Sequence, residues 1–366
     1  MSTITITFGD VAENHVGMQK IGNMAKEGFT VSELENAETL FKKKGCKTEF
    51  IRLNEYLPED ESSDEAAVLI IRDGLKLFIK DTEAFHQEES CREWDTKALM
   101  RGRVVNKHAR YNLCYSDNAQ EPDFDSGKGR IIAFDESKGL TAIRNKLHLY
   151  LGDKAKSLKA EGNKYYDTTK CGIGFHGDSE RKIVVAFRTG KSMALRYSWF
   201  VNNQPIGEPV TLTINGNDMY VMSAKAVGTD WKKRLIPTLR HAAGCEKYIG
   251  MDIFAKRAEK KSNDTNDASR KKQTARKSPV SKFPRTSHAS KIAPEENIMI
   301  VTNTKVIFYC KKCGYEAKGK SFTQEYINEF RKHSNENSDG RCLDKGHYEE
   351  NHTEVLGMYF YVMGSK

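Results

Sequence analysis

The chain has 366 residues, enough for two or three folded units, and its 59 Lys and Arg against 50 Asp and Glu give a net charge of +9. It has no apolar run of about 18 residues, which excludes a membrane-spanning helix as its organising element. Twelve basic residues against three acids fall between Lys256 and Lys291. That surplus equals the whole net charge, so attraction to a polyanion belongs to this segment and not to a basic folded surface.

The opening Met1-Ser-Thr-Ile-Thr-Ile-Thr alternates like a strand and lacks the charged and apolar regions of a signal peptide, so an intracellular protein is expected. Residues 1–92 read as a small mixed α/β region. Ser32 is a helix-cap candidate before apolar residues at helical spacing, 48–53 and 66–71 suit strands, and Asp73-Gly74 suits a hairpin into 75–79. The acidic stretch 59–65 reads as a solvated loop, and no site chemistry shows in this region. Residues 93–255 change pattern. A helix is expected over 140–151, followed by short β-branched and aromatic runs at 184–188, 194–201, 210–214 and 219–222, separated by Gly and Asn turns. This predicts a mainly β fold with α elements (α+β), its core a β-sandwich or jelly roll. Residues 256–295 are too poor in apolar groups to offset their ordering entropy and read as a disordered basic linker. Residues 296–366 form a separate small domain, with strand character over 298–309 and a short helix over 322–333.

Two motifs in 93–255 carry chemistry. Gly172-Ile-Gly-Phe-His176-Gly-Asp178 puts an imidazole and a carboxylate two positions apart at the end of a strand-like run, where both reach one ion. Non-haem Fe(II) oxygenases use such a pair for two of three facial ligands. Downstream, Arg234 and Arg240 lie six apart. On one strand they share a face, offering one guanidinium to a distal carboxylate and another near the metal.

Together these motifs resemble the AlkB family of iron- and 2-oxoglutarate-dependent dioxygenases over residues 97–243. Arg101-Gly-Arg-Val-Val-Asn-Lys-His-Ala-Arg-Tyr-Asn-Leu-Cys-Tyr115 is similar to the strand entering that family's substrate platform. The resemblance implies a double-stranded β-helix core and oxidative attack on a C–H bond with consumption of 2-oxoglutarate and oxygen. It also implies that His176 and Asp178 bind Fe(II), and that Tyr166, Arg234 and Arg240 hold 2-oxoglutarate. Three positions depart from the pattern. Lys164 stands where the family has the asparagine of N-x-Y, Ile236 stands between the arginines, and 224–233 contains no second histidine. Asp230 is nearest in spacing and is the expected third ligand. The alternative is His241, which follows Arg240 directly and so points to the opposite face of a regular strand.

In the C-terminal domain, Cys310-Lys-Lys-Cys313 resembles the knuckle of a zinc ribbon, within C-x2-C-x19-H-x8-C-x4-H-x4-H. Tetrahedral zinc needs four such ligands, and a domain this small needs a staple. Cys310, Cys313, His333 and Cys342 are the expected set, with His347 as substitute. In the linker, Lys272-Gln-Thr-Ala-Arg-Lys-Ser278 is identical to a stretch of the histone H3 tail, with further matches at Lys282, Pro284 and Arg285. Residues 270–286 are therefore expected to engage histone-reader proteins. The resulting expectation is an intracellular, nuclear dioxygenase with nucleic-acid or chromatin partners and no membrane. The rivals are a non-catalytic chromatin scaffold and a protein or small-molecule hydroxylase.

Overall fold

The computed structural model describes residues 2–252 and 254, together with the backbone of three strands in the C-terminal unit. The chain divides into two units, Met1–Arg276 and Lys277–Lys366. In the second, Ile298–Thr302, Lys305–Tyr309 and Glu316–Gly319 form an antiparallel three-stranded sheet. The expected zinc ligands, the helix over 322–333 and the histone-like linker lie outside the described residues.

In the first unit, β1 (Thr3–Gly9), the hairpin β2–β3 (Val11–Glu13, Lys20–Gly22), α1 (Val31–Lys43), β4 (Thr48–Arg52), β5 (Ala67–Ile71) and α2 (Thr82–Cys91) come first. The hairpin β6–β7 (Lys97–Met100, Arg103–Asn106), β8 (Tyr111–Ser116), β9 (Ile131–Ala133), α3 (Lys138–Leu151) and β10 (Lys159–Tyr165) follow. The unit closes with β11 (Gly172–His176), β12 (Val184–Gly190), β13 (Met193–Val201), β14 (Gln204–Ile214), β15 (Met219–Met222), α4 (Ala224–Val227), β16 (Thr238–Gly244) and α5 (Glu246–Ile249). An eight-stranded sheet runs β4-β5-β15-β12-β1-β10-β8-β9, and a four-stranded sheet runs β11-β16-β13-β14. The fold is mainly β with a few helices, as expected.

Alternation on β1 explains the layering. Ile4, Ile6 and Phe8 enter a core shared with Leu34, Ala37 and Phe41 of α1 and Leu140, Ile143 and Leu147 of α3. Each large side chain buried there contributes about 1.5–3 kcal/mol. Thr3, Thr5 and Thr7 therefore take the opposite face. On that side Val184 and Ala186 of β12 and Tyr220 and Met222 of β15 share a second core with Leu195, Tyr197, Trp199 and Leu239 of the smaller sheet. The larger sheet thus carries helices on one side and the smaller sheet on the other.

Three expectations for 1–92 are corrected. The region is not separate: β1 sits at the centre of the larger sheet, antiparallel to β12 and β10, because its two buried faces need partners on both edges. The cap of α1 is Thr30, which forms a capping box with Glu33, in place of Ser32. Asp73-Gly74 makes no hairpin; Asp73 adopts φ 53° and leads into a 3₁₀ turn, while β5 pairs with β4 and β15. Among the described residues no helix is long and apolar enough to cross a membrane.

Candidate metal centre

β11 and β16 pair antiparallel, Ile173 opposite Ala243 and His176 opposite His241, with one extra residue accommodated between these pairs. The bulge brings the two histidines onto the same face of the smaller sheet, their ring centroids 4.5 Å apart. After His176 the chain turns sharply inward. The Asp178 N–H donates to the Val227 carbonyl, and a side chain at Gly177 would run into the backbone of Gly228, itself at φ 75° after α4. Only glycine fits that approach. The turn carries Asp178 back over the histidines.

Asp178 Oδ1 lies 3.5 Å from His176 Nε2 and 3.7 Å from His241 Nε2, and the three ligand atoms all fall within 4.8 Å of one another. Donors bound to one ion at about 2.0–2.2 Å stand about 3–3.5 Å apart, so a small contraction closes the group on a transition metal. The imidazoles are prepared for it. His176 Nδ1 sits 2.8 Å from the Gly174 carbonyl, which fixes its proton there and leaves the Nε2 lone pair free. Burial, then the neighbouring His176 and Arg181, hold the His241 pKa well below the usual histidine range, so its imidazole is neutral.

The third member of the cluster is therefore His241, in place of the expected Asp230. Asp230 Oδ2 instead accepts from Lys225 Nζ at 2.9 Å and serves to neutralise a buried ammonium. Parity on β16 explains the correction. Arg240 and His241 do point to opposite faces, but Arg240 takes the outer one. Its guanidinium stacks over Phe200 (4.4 Å) and Trp231 (5.2 Å) and donates to Asn203 Oδ1. Arg234 lies in the exposed loop before β16, next to Leu235, which is 96% exposed. Pro237 separates it from the strand, so the two arginines share no face. Tyr166 also misses the interior: its hydroxyl donates to the His108 carbonyl and its ring stacks on Tyr111, while the preceding Tyr165 faces inward.

The cluster opens on a cavity of about 70 Å³ between the sheets, walled on the larger-sheet side by Thr5, Thr7, Glu161, Asn163, Tyr165 and Tyr220. Beside this wall lies Arg188, which sequence reasoning missed. It shares the inward parity of Val184 and Ala186 on β12, sits opposite Thr5 in register, and is 1% exposed. Tyr220 is its side-chain partner and the Asp218 carboxylate adds an opposing charge, yet its Nε and Nη1 have no hydrogen-bond partner. Thr5 Oγ1 and Tyr197 Oη are also buried without partners. Burial pulls the Arg188 pKa down, with Tyr220 and Tyr165 opposing. The missed signal was in the run Val184-Val-Ala-Phe-Arg188: an arginine at a core-facing position is costly unless something pairs with it.

No family model matches the chain. It is 48% identical over 249 residues to the uncharacterized protein R156 of Acanthamoeba polyphaga mimivirus, a match covering 68% of this chain and 97% of the relative.

Proposed function

For a chain that belongs to the family of the mimivirus protein R156, we propose a mononuclear non-haem Fe(II) oxygenase that consumes 2-oxoglutarate. One observation carries the reading: a His176–Asp178–His241 donor set lies in the same interior as an unpaired, buried guanidinium. Two imidazoles and one carboxylate match the facial triad of such oxygenases, which leaves the far side of an ion open. The unfilled Nε and Nη1 of Arg188 lie on different edges of the guanidinium, and each, with the Tyr220 hydroxyl, offers a separate hydrogen bond to an oxygen of a carboxylate ligand. On this reading the two sheets are the walls of a double-stranded β-helix, with β1 completing the larger wall.

Iron(II) held there would supply oxygen activation coupled to oxidative decarboxylation of the oxoacid, one oxygen atom going to the substrate C–H bond and the other to succinate, with release of carbon dioxide. The protein's part is to bind and to exclude. Arg188, Tyr220 and Tyr165 orient the carboxylate in a site without bulk water, where a charge-assisted bond is strongest. Neutral His241 donates a lone pair without first losing a proton. Ile173, Val184, Leu195 and Met222 supply the apolar part of a lining that is otherwise polar. The substrate assigned to this chemistry is a nucleic-acid base or a chromatin-bound group in the nucleus, the class that the AlkB resemblance of residues 97–243 implies. A chain serving only as a scaffold gains nothing from three metal donors clustered in the same interior as a buried arginine with two unfilled nitrogens.

The experiment is anaerobic calorimetry of the full chain with Fe(II), then with 2-oxoglutarate, followed by succinate release in air. One Fe(II) and one metal-dependent oxoacid per chain are expected. Oxoacid binding that ignores the metal, or no binding at all, refutes the assignment.

A further inference from the structure

We propose that Arg181 is a positioning residue for this metal centre, restraining Asp178 to a one-oxygen presentation through an ion-pair relay anchored at Glu161. The inference rests on the reading of His176, Asp178 and His241 as ligands and assigns the layer behind them.

Arg181 lies between β11 and β12, three residues after Asp178, lines the same cavity and is 3% exposed. Its Nε stands 3.5 Å from Asp178 Oδ2, and its Nη2 donates to Glu161 Oε2 at 2.5 Å and Glu180 Oε1 at 2.9 Å. Glu161 is itself held firmly. It sits within β10, opposite Thr7 in register, and its carboxylate also accepts from the Glu13 N–H at 3.3 Å and from Asn163 Nδ2 at 3.0 Å. Burial pushes the Glu161 carboxyl up, but Arg181, with Asn163 and the Glu13 N–H, carries the pKa below the usual range. Burial likewise opposes the Arg181 charge, and Glu161, Asp178 and Glu180 together raise its pKa well above normal. The relay connects β10 of the larger sheet to the ligand turn.

Its effect follows from which oxygen it faces. A free carboxylate can rotate or chelate with both oxygens, filling one more coordination position. With Oδ2 facing the guanidinium, Oδ1 remains as the donor, the same oxygen that faces both imidazoles. One oxygen and two nitrogens then hold the ion while its other positions stay open. Outer-layer groups of this kind typically change metal affinity by about 10–100-fold.

The test uses the full chain with Co(II) as probe, reading affinity by calorimetry, coordination by the visible absorption bands, and metal-free melting temperature. Arg181→Gln and the near-isosteric Glu161→Gln should each still bind one Co(II), roughly 10–100-fold more weakly. Their bands should shift toward a higher-coordinate spectrum, and Arg181→Lys should restore part of the affinity. Wild-type affinity and spectrum in both Gln variants, with only the melting temperature lowered, would overturn the proposal and leave a purely structural ion pair. If Arg181→Gln does not fold, Glu161→Gln carries the same decision. Failure of the wild type to bind Co(II), or binding by His241→Ala equal to wild type, overturns the ligand assignment itself and the relay with it.

Discussion

Arg181 and Arg188 stand seven residues apart, before and within the same strand, and both are buried. At one end of the interior Arg181 is surrounded by Glu161, Asp178 and Glu180. At the other, Arg188 meets tyrosines and a threonine and leaves two nitrogens empty. A buried charge is tolerated when paired and costs several kcal/mol when not. The first arginine is therefore matched by carboxylates of the chain, and on the proposed reading the second takes a carboxylate of the oxoacid.

The largest effect should come from breaking the metal end. His241→Ala is expected to lose Mn(II) beyond the roughly 100-fold at which outer-layer substitutions stop, whereas Asp230→Ala should bind it as the wild type does. Calorimetry on the two variants decides this, and loss in Asp230→Ala alone would return the third ligand to that carboxylate. Next comes the other end. Arg188→Met should weaken 2-oxoglutarate binding by about 2–5 kcal/mol, the usual cost of deleting one partner of a desolvated carboxylate–guanidinium pair. The same variant should melt at a higher temperature than wild type when no oxoacid is present, since the unpaired charge is gone. Arg234→Ala should leave oxoacid affinity unchanged. A lower melting temperature for Arg188→Met, with affinity intact, would show that Arg188 is satisfied by its tyrosines.

Asp230→Ala supplies the converse case, a buried cation stripped of its carboxylate. Lys225 keeps the Pro237 carbonyl and the Trp199 ring, and about 1–3 kcal/mol of stability should be lost; a denaturant melt equal to wild type would count against that ion pair. The smallest effect concerns Lys107, a half-compensated cation. Its ammonium donates to Asn14 Oδ1 at 2.6 Å, and burial, opposed mainly by Asp95, brings its pKa down to about 8. The unfolded value is about 10.4. Between the two the unfolded chain holds more protons, so the Lys107 contribution raises stability as pH climbs from 8 toward 10. Lys107→Met should flatten that part of the stability profile, and an unchanged slope would show that the amine is not desolvated.

Much of this was legible in the sequence from composition and turns. The runs at 184–188, 194–201 and 219–222, rich in β-branched and aromatic residues and bounded by Gly and Asn turns, became strands. The H-x-D pair was readable from residue type and spacing. On β16 the pattern is silent: Thr238 through Gly244 are all buried, so nothing local says whether Arg240 or His241 faces inward. The relation between the two was inferred correctly and then anchored to the wrong face. Arg188 escaped because its role lies in a missing partner, which only the surrounding walls reveal. The place of β1 escaped for a different reason, since its neighbours lie far along the chain.

That central place of β1 shapes how the protein is made. Thr3 hydrogen-bonds to Thr189, 186 residues later. At about 5–20 residues per second, a ribosome takes roughly 10–40 s to deliver the second partner. Until then the Ile4, Ile6 and Phe8 row and two unpaired strand edges remain open to other chains. Completion of the larger sheet awaits β15 between β5 and β12, so nascent chains arrested before residue 222 should be protease-sensitive, and those arrested well beyond it should not. β1 thus waits for partners that lie far along the chain.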